Sequence, residues 1–201
     1  MESTKTRILK KLLETDGYLS GQELCEQLGV SRTAVWKYMK QLKEEGYEIE
    51  AVQNKGYCLK DVPDVLGESE IKSRLHTRWA GQTLYYYDEI DSTNTQIKRL
   101  AEEDAPHGTL AVADYQSRGK GRRGRAWDSP HGSAIYMSIL FRPEIRPDRA
   151  SMLTLVIGLS VTQAIRSNLG LQAQIKWPND VVLNGKKLVG ILTEMSAQMN
   201  Y

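Results

Sequence analysis

No apolar run in this 201-residue chain is long enough to cross a bilayer, and its start, Met1-Glu2-Ser3-Thr4, has neither the basic nor the apolar region of a signal peptide. The expectation is a cytoplasmic protein that engages no membrane. Cysteine is scarce as well: Cys25 and Cys58 stand alone, without metal-ligand spacing. Neither receives a function, and Cys25 falls on an apolar helical position suited to a small core residue. Net charge is only +2, so any nucleic-acid surface has to be local. With 40% apolar and 26% charged residues, the composition is that of an ordinary globular protein, and the length favours two domains.

What the chain does contain is concentrated between Gln116 and Trp127, Gln-Ser-Arg-Gly-Lys-Gly-Arg-Arg-Gly-Arg-Ala-Trp. Arg118, Lys120, Arg122, Arg123 and Arg125 alternate with Gly119, Gly121 and Gly124, and no acid follows until Asp128. Glycine allows close backbone approach and exposes N–H donors, while guanidinium forks match phosphate or carboxylate oxygens. Spacing alone leaves two readings open, an anion-gripping loop or a solvated basic loop that touches nucleic-acid phosphates. The flanks favour a loop held in a sheet, because Thr109 to Tyr115 and Ser133 to Phe141 both read as strands.

The first sixty residues read as a small domain. Thr4 is expected to cap a first helix carrying Ile8, Leu9, Leu12 and Leu13, and Ser20-Gly21-Gln22-Glu23 has the capping-box pattern for a second. Ser31 should cap a third, from Arg32 to Glu45, with Val35, Met39 and Leu42 inward and Arg32, Thr33, Trp36, Lys37, Lys40 and Lys43 outward. The outer face lacks acids until its far end, which suits a helix whose first turns enter a major groove. Tyr47 to Val52 and Tyr57 to Leu59, joined by Gln53-Asn54-Lys55-Gly56, form a hairpin, and the whole looks like a winged helix-turn-helix. Some such domains bind proteins instead of DNA. Pro63 and the shift in pattern over residues 61–67 mark a boundary, giving domains at 1–62 and 68–201.

In the second domain a short helix capped by Ser69 should precede a strand from Thr83 to Tyr87. Asp91-Ser92-Thr93-Asn94 then opens an amphipathic helix, where Ser92, Thr93 or Asn94 is most simply an N-cap. Residues 150–169 read as a core helix burying Met152, Leu155, Val156, Leu159, Ala164 and Ile165. Asn184-Gly185, between Val181-Val182-Leu183 and the run from Leu188 to Met195, is the strongest hairpin signal in the chain. It places Lys186 and Lys187 beside the turn, where an exposed charge is the default reading.

The Gly/Arg loop, the Ser-Thr-Asn segment at 92–94, Lys176-Trp177-Pro178-Asn179-Asp180 and the lysines after Asn184-Gly185 stand in one order behind the helix-turn-helix. In that combination the chain resembles the bifunctional biotin–protein ligases that also repress the biotin operon. The resemblance implies an α+β protein, in which a winged helix-turn-helix precedes a mixed-sheet biotin/lipoate-ligase-like catalytic domain. It also implies that the SH3-like barrel with which the family ends is missing here. By that likeness Ser92, Thr93, Asn94 and Gln116 would contact biotin, and Lys120, Gly121 and Arg122 would close over its carboxylate and the phosphate. Lys187 would reach the same oxygens, Trp127 would pack beside adenine, and Asn179 and Asp180 would border the nucleotide. Arg122 and Lys187 are the expected catalytic cations. Ser31, Arg32, Thr33, Trp36, Lys37 and Lys40 are the expected operator contacts. ATP with Mg²⁺, a biotin-carboxyl-carrier domain, operator DNA and a ligand-promoted homodimer are the implied cofactors and partners. Position 120 carries Lys where the family often has Arg, which keeps the charge but loses the bidentate fork. A non-catalytic biotin- or nucleotide-sensing repressor and a lipoate or octanoate transferase remain as alternatives.

Overall fold

The computed structural model describes residues 3–196. The chain divides into two compact units, residues up to Ser117 with Ser129–Phe141, and Arg118–Asp128 with the residues from Arg142 on.

The first unit begins with α1 (Thr4–Glu14), α2 (Gly21–Leu28) and α3 (Arg32–Glu44), followed by the hairpin β1 (Glu48–Val52) and β2 (Gly56–Asp61). Ser20 and Ser31 cap α2 and α3 as the sequence predicts, each accepting the N–H three residues on. The first cap differs: Ser3, not Thr4, accepts from Thr6 N, because Thr4 already has helical geometry. Ile8, Leu9, Leu24, Val35 and Leu42 close the core of this head. The wing is pinned where β2 begins, Tyr57 exchanging backbone hydrogen bonds with Leu19. Gly56 permits that approach, since its φ is +110° and a Cβ would lie 2.2 Å from Leu19 O.

A short helix α4 (Glu68–Ser73) follows, with Gly67 at its N-cap. Ser69 lies inside the helix instead of capping it, and its Oγ accepts from Thr6 Oγ1 of α1 at 3.4 Å. Glu70 is buried and accepts from the Tyr47 hydroxyl and, at 2.8 Å, from Arg74 Nε. On the sheet side Ile71 packs against Leu84, Leu110 and Val112. Then β3 (Leu84–Ile90), α5 (Thr93–Glu102) and β4 (Leu110–Gln116) form a parallel β-α-β unit, to which β5 (Tyr136–Ile139) adds antiparallel to β4. This is the expected mixed sheet.

In the second unit β6 (Gln174–Lys176), β7 (Asp180–Leu183) and β8 (Lys186–Gly190) form an antiparallel sheet of their own. Asn184 (φ 50°) and Gly185 (φ 76°) make the predicted two-residue turn, with both central residues in the left-handed region a type I′ hairpin requires. Helix α6 (Met152–Leu169) corrects an expectation. Its buried residues are Gly158 and Thr162, while Met152, Leu155, Val156 and Leu159 are exposed. The helix packs through its small side chains, since a Cβ on Gly158 would already sit 3.5 Å from Ile191 Cδ1. The larger apolar residues therefore turn outward.

Candidate active site and nucleic-acid face

Parallel pairing brings Ile90 opposite Gln116, so that the segment after β3 and the last residue of β4 meet at one end of the sheet. Asp91 begins that segment, paired with Arg99 at 2.7 Å and accepting from Ser92 N at 2.8 Å. The Arg99 guanidinium holds its carboxyl below the usual carboxylate range. Ser92 occupies the N-cap of α5 without a side-chain capping bond. Gln116 Oε1 instead accepts from Thr93 N at 2.9 Å and lies 3.1 Å from Thr93 Oγ1, while Gln116 Nε2 donates to Ser129 Oγ at 2.9 Å. Ser138 on β5 reaches across to Thr93 Oγ1 at 2.9 Å and to the Asn94 amide. Ser92, Thr93, Gln116, Ser129 and Ser138 are all buried. Of the four predicted residues, Thr93, Asn94 and Gln116 thus gather into one neutral, hydrogen-bonded cluster able to bind a polar, uncharged ring, and Ser92 lies buried next to Thr93 in the chain without a side-chain bond to it. Sequence reading missed Ser129 and Ser138. The signal for Ser138 was its register: it shares a strand face with Tyr136 and Leu140, both buried, so a hydroxyl stands where an apolar residue would be routine.

In the second unit the Gly/Arg loop is a closed structure. Gly121 N donates to Arg125 O at 2.7 Å, Trp127 N to Gly119 O at 2.9 Å, and Lys120 bridges Ala126 through the backbone. A 3-10 turn over Arg122–Gly124 has Arg123 at φ 59° and Gly124 at φ 72°, and it leaves the arginines exposed. Arg122 Nη1 donates to Asn179 Oδ1 at 2.7 Å. Asn179 is fixed in turn by two bonds to the Ile191 backbone: Ile191 N–H donates to the Asn179 carbonyl at 2.8 Å, and Asn179 Nδ2 donates to Ile191 O at 3.2 Å. One residue on, Asp180 Oδ1 pairs with Lys187 Nζ at 2.8 Å, an ion pair off line for a hydrogen bond. The Lys187 ammonium also lies 4.8 Å from the centroid of Trp127. Arg122, Trp127, Asn179, Asp180 and Lys187 are therefore brought together, with two cations converging on adjacent residues. Lys120 and Gly121 join through the loop backbone.

In the head, Ser31, Arg32, Thr33, Trp36, Lys37 and Lys40 all lie on the exposed side of α3, and Trp36 is 61% exposed. Arg32 is held by Gln22 at 3.2 Å, and Lys40 sits 3.7 Å from Glu44.

A family model for the biotin/lipoate A/B protein ligases matches residues 86–200. The chain belongs to this family. A helix-turn-helix domain model matches residues 4–58, placing that ligase domain behind a helix-turn-helix head. Among curated relatives, the bifunctional ligase/repressor BirA of Bacillus spizizenii is 48% identical over 200 residues, a match covering 98% of this chain and 62% of that protein. The Escherichia coli protein of the same name is 36% identical over 188 residues, covering 93% and 57%. The chain thus spans less than two thirds of the length of either relative. Among solved structures, the biotin protein ligase of Aquifex aeolicus in complex with biotin and ATP is similar at 40% identity and TM-score 0.51, covering 57% of this chain and 47% of that one.

Proposed function

We propose that this chain activates biotin with ATP, transfers it to a lysine of a biotin-carboxyl-carrier domain, and represses the biotin operon through its head. The observation that carries the ligase reading is the convergence of Arg122 on Asn179 and of Lys187 on Asp180. Biotin's carboxylate attacks the α-phosphorus of ATP. A new phosphorus–oxygen bond forms as the bond to pyrophosphate breaks, giving biotinyl-5′-AMP. The acceptor lysine amine then attacks the acyl carbon, AMP leaves, and the amine loses its proton. The first step brings an anion onto a polyanion, so the task of the protein is to offset charge and align the reactants, with no nucleophile of its own. Arg122, Lys187 and the exposed Lys120 supply that charge, and Trp127 offers a face for the adenine. The buried hydroxyl and amide cluster around Gln116 takes the ureido ring. Mg²⁺, which binds mainly through substrate phosphates and water, would come with the ATP.

Repression rests on the exposed cationic face of α3, with α3 entering an operator major groove. Ordering of the Gly/Arg loop over the adenylate would favour a homodimer matched to a two-fold operator. The work is cytoplasmic, where operator and ATP are found. Among the described residues no helix is long and apolar enough to cross a membrane. The similarity to the Aquifex aeolicus ligase solved with biotin and ATP supports biotin over lipoate. Calorimetric titration of the chain with biotin, then with biotin and Mg-ATP, is the test. Binding that deepens with ATP is expected, and no binding at all would refute the reading. An assay for ATP-dependent adenylate formation separates the enzyme from a non-catalytic sensor.

A further inference from the structure

The segment that carries Ser129 to the Gln116 amide runs alongside β4 and is tied to it at two successive places. At the first, Gln116 N donates to Ser129 O at 3.2 Å and Gln116 Nε2 donates to Ser129 Oγ at 2.9 Å. The second lies two residues back along β4, roughly 7 Å away, where Asp114 takes hold of His131 and Gly132. Gly132 N can only donate, so Asp114 Oδ1 accepts there at 3.0 Å. Asp114 Oδ2 lies 2.8 Å from His131 Nδ1. The His131 side chain first, and the Gly132 N–H second, hold the Asp114 carboxyl below the usual carboxylate range. An ionised carboxylate has no proton to give, so His131 Nδ1 is the donor. Tyr115 stacks on the same imidazole, with ring centroids 4.7 Å apart and planes at 17°. His131 and Gly132 are nonetheless exposed, whereas Ser129 and Gln116 are buried. The other end of the Gln116 amide is fixed independently: Thr93 N donates to Oε1 at 2.9 Å, which turns Nε2 toward Ser129. One Nε2 hydrogen goes to Ser129, and where Ser129 stands sets the direction of the second.

We infer that Asp114 and His131 are positioning residues for the biotin pocket: their surface clasp holds Ser129 in place, and Ser129 aims the second Nε2 hydrogen of Gln116 at the ureido carbonyl. The inference rests on the biotin reading above and deepens it. Both residues act through Ser129 and not on the ligand. Opening the clasp leaves the Thr93 bond to Gln116 intact, so the amide keeps the direction of its oxygen and loses the aim of its nitrogen. Because the clasp is at the surface, it can be altered without hollowing the core.

The test is a double-mutant cycle read by calorimetric titration of the whole chain with biotin. Ser129→Ala and Asp114→Ala should each weaken biotin by about 3- to 10-fold, the worth of one neutral hydrogen bond. The double variant should bind within about twofold of Ser129→Ala alone, because Asp114 has no other route to the ligand. Losses that multiply in the double variant, or a single variant that binds as the wild type does, overturn the assignment. A clasp that served stability alone would leave the affinity of the folded chain unchanged. His131→Asn keeps a nitrogen donor at the δ position and should stay within about twofold of the wild type, whereas His131→Leu has no donor and should weaken biotin about 3- to 10-fold. Both changes are at an exposed residue, so this comparison decides the matter even if Asp114→Ala does not fold. Equal binding by the two His131 variants overturns the clasp. Failure of the wild-type chain to bind biotin would instead overturn the reading on which the inference rests, and the inference with it.

Discussion

Gly190→Ala should slow adenylate formation without unfolding the protein. Gly190 ends β8 and has no positive φ, so alanine meets no backbone strain there. Its Cβ would lie 2.8 Å from Trp127 Cη2, 3.0 Å from Lys187 Cε and 3.1 Å from Lys187 Nζ. The indole edge and the lysine tip must both move to admit it. Those are ends of side chains at an exposed site, and alanine also restricts the unfolded chain, so the net change in stability should be roughly within 1 kcal/mol. The catalytic cost is larger. If Lys187 can no longer hold its place against the developing charge, the loss is that of one hydrogen bond to a charged group, about 1.5–3 kcal/mol, or about 10- to 150-fold in rate. Single-turnover formation of biotinyl-AMP measures it directly. Gly158→Ala is the control within the same unit: its Cβ would make ordinary 3.5 Å contact with Ile191, and it should leave the rate unchanged. A Gly190→Ala chain that folds and forms adenylate at the wild-type rate would show that Lys187 and Trp127 are not placed for the chemistry.

Arg122→Gly removes the bond to Asn179 and the cation over the adenylate; activated biotin should escape and label bystander lysines, seen on a streptavidin blot, whereas unchanged retention would count against the assignment. Tyr47→Phe leaves the buried Glu70 carboxylate with Arg74 but without its phenol donor, and should destabilise by about 1.5–3 kcal/mol in urea titrations. Burial, and then the bond to Glu70, push the Tyr47 phenol well above its ordinary range. The unfolded chain ionises this phenol near pH 10 and the folded chain does not, so its contribution is complete below about pH 10 and is lost as pH rises beyond. Tyr47→Phe should flatten that alkaline decline in urea midpoint. Gly56→Ala drives a Cβ into Leu19 O and should unpin the wing, lowering operator affinity in a salt-controlled binding assay while biotin binding persists.

Local chemistry made much of this molecule readable from its sequence. Caps at Ser20 and Ser31 and the Asn184-Gly185 turn are decisions taken within a few residues, and they came out as written. Long-range placement was harder. Helix α6 looked like a buried stripe because leucine and valine recur at helical spacing, but periodicity cannot say which face packs, and Gly158 and Thr162 allowed the closer approach. Ser138 was hidden for a related reason. Its importance comes from pairing in the sheet, which sets β5 beside the start of α5, and nothing within its own strand announces Thr93 and Asn94 as neighbours. Lys187 was an exposed turn charge by default, and only the fold supplies Asp180 and Trp127.

Helix α4 is only six residues long, yet it is stitched on one side to Thr6 and Tyr47 of the head and on the other, through Ile71, to the sheet that carries Gln116. A helix-turn-helix module joined in this way is no bead on a string. Grafting a foreign head onto the sheet, or excising the native one at the end of β2, would strand a carboxylate that has lost its phenol and bare a seam meant to stay dry. Chimeras of such proteins should be spliced after Ser73, with α4 travelling alongside the head, or else carry a neutral, apolar replacement for Glu70.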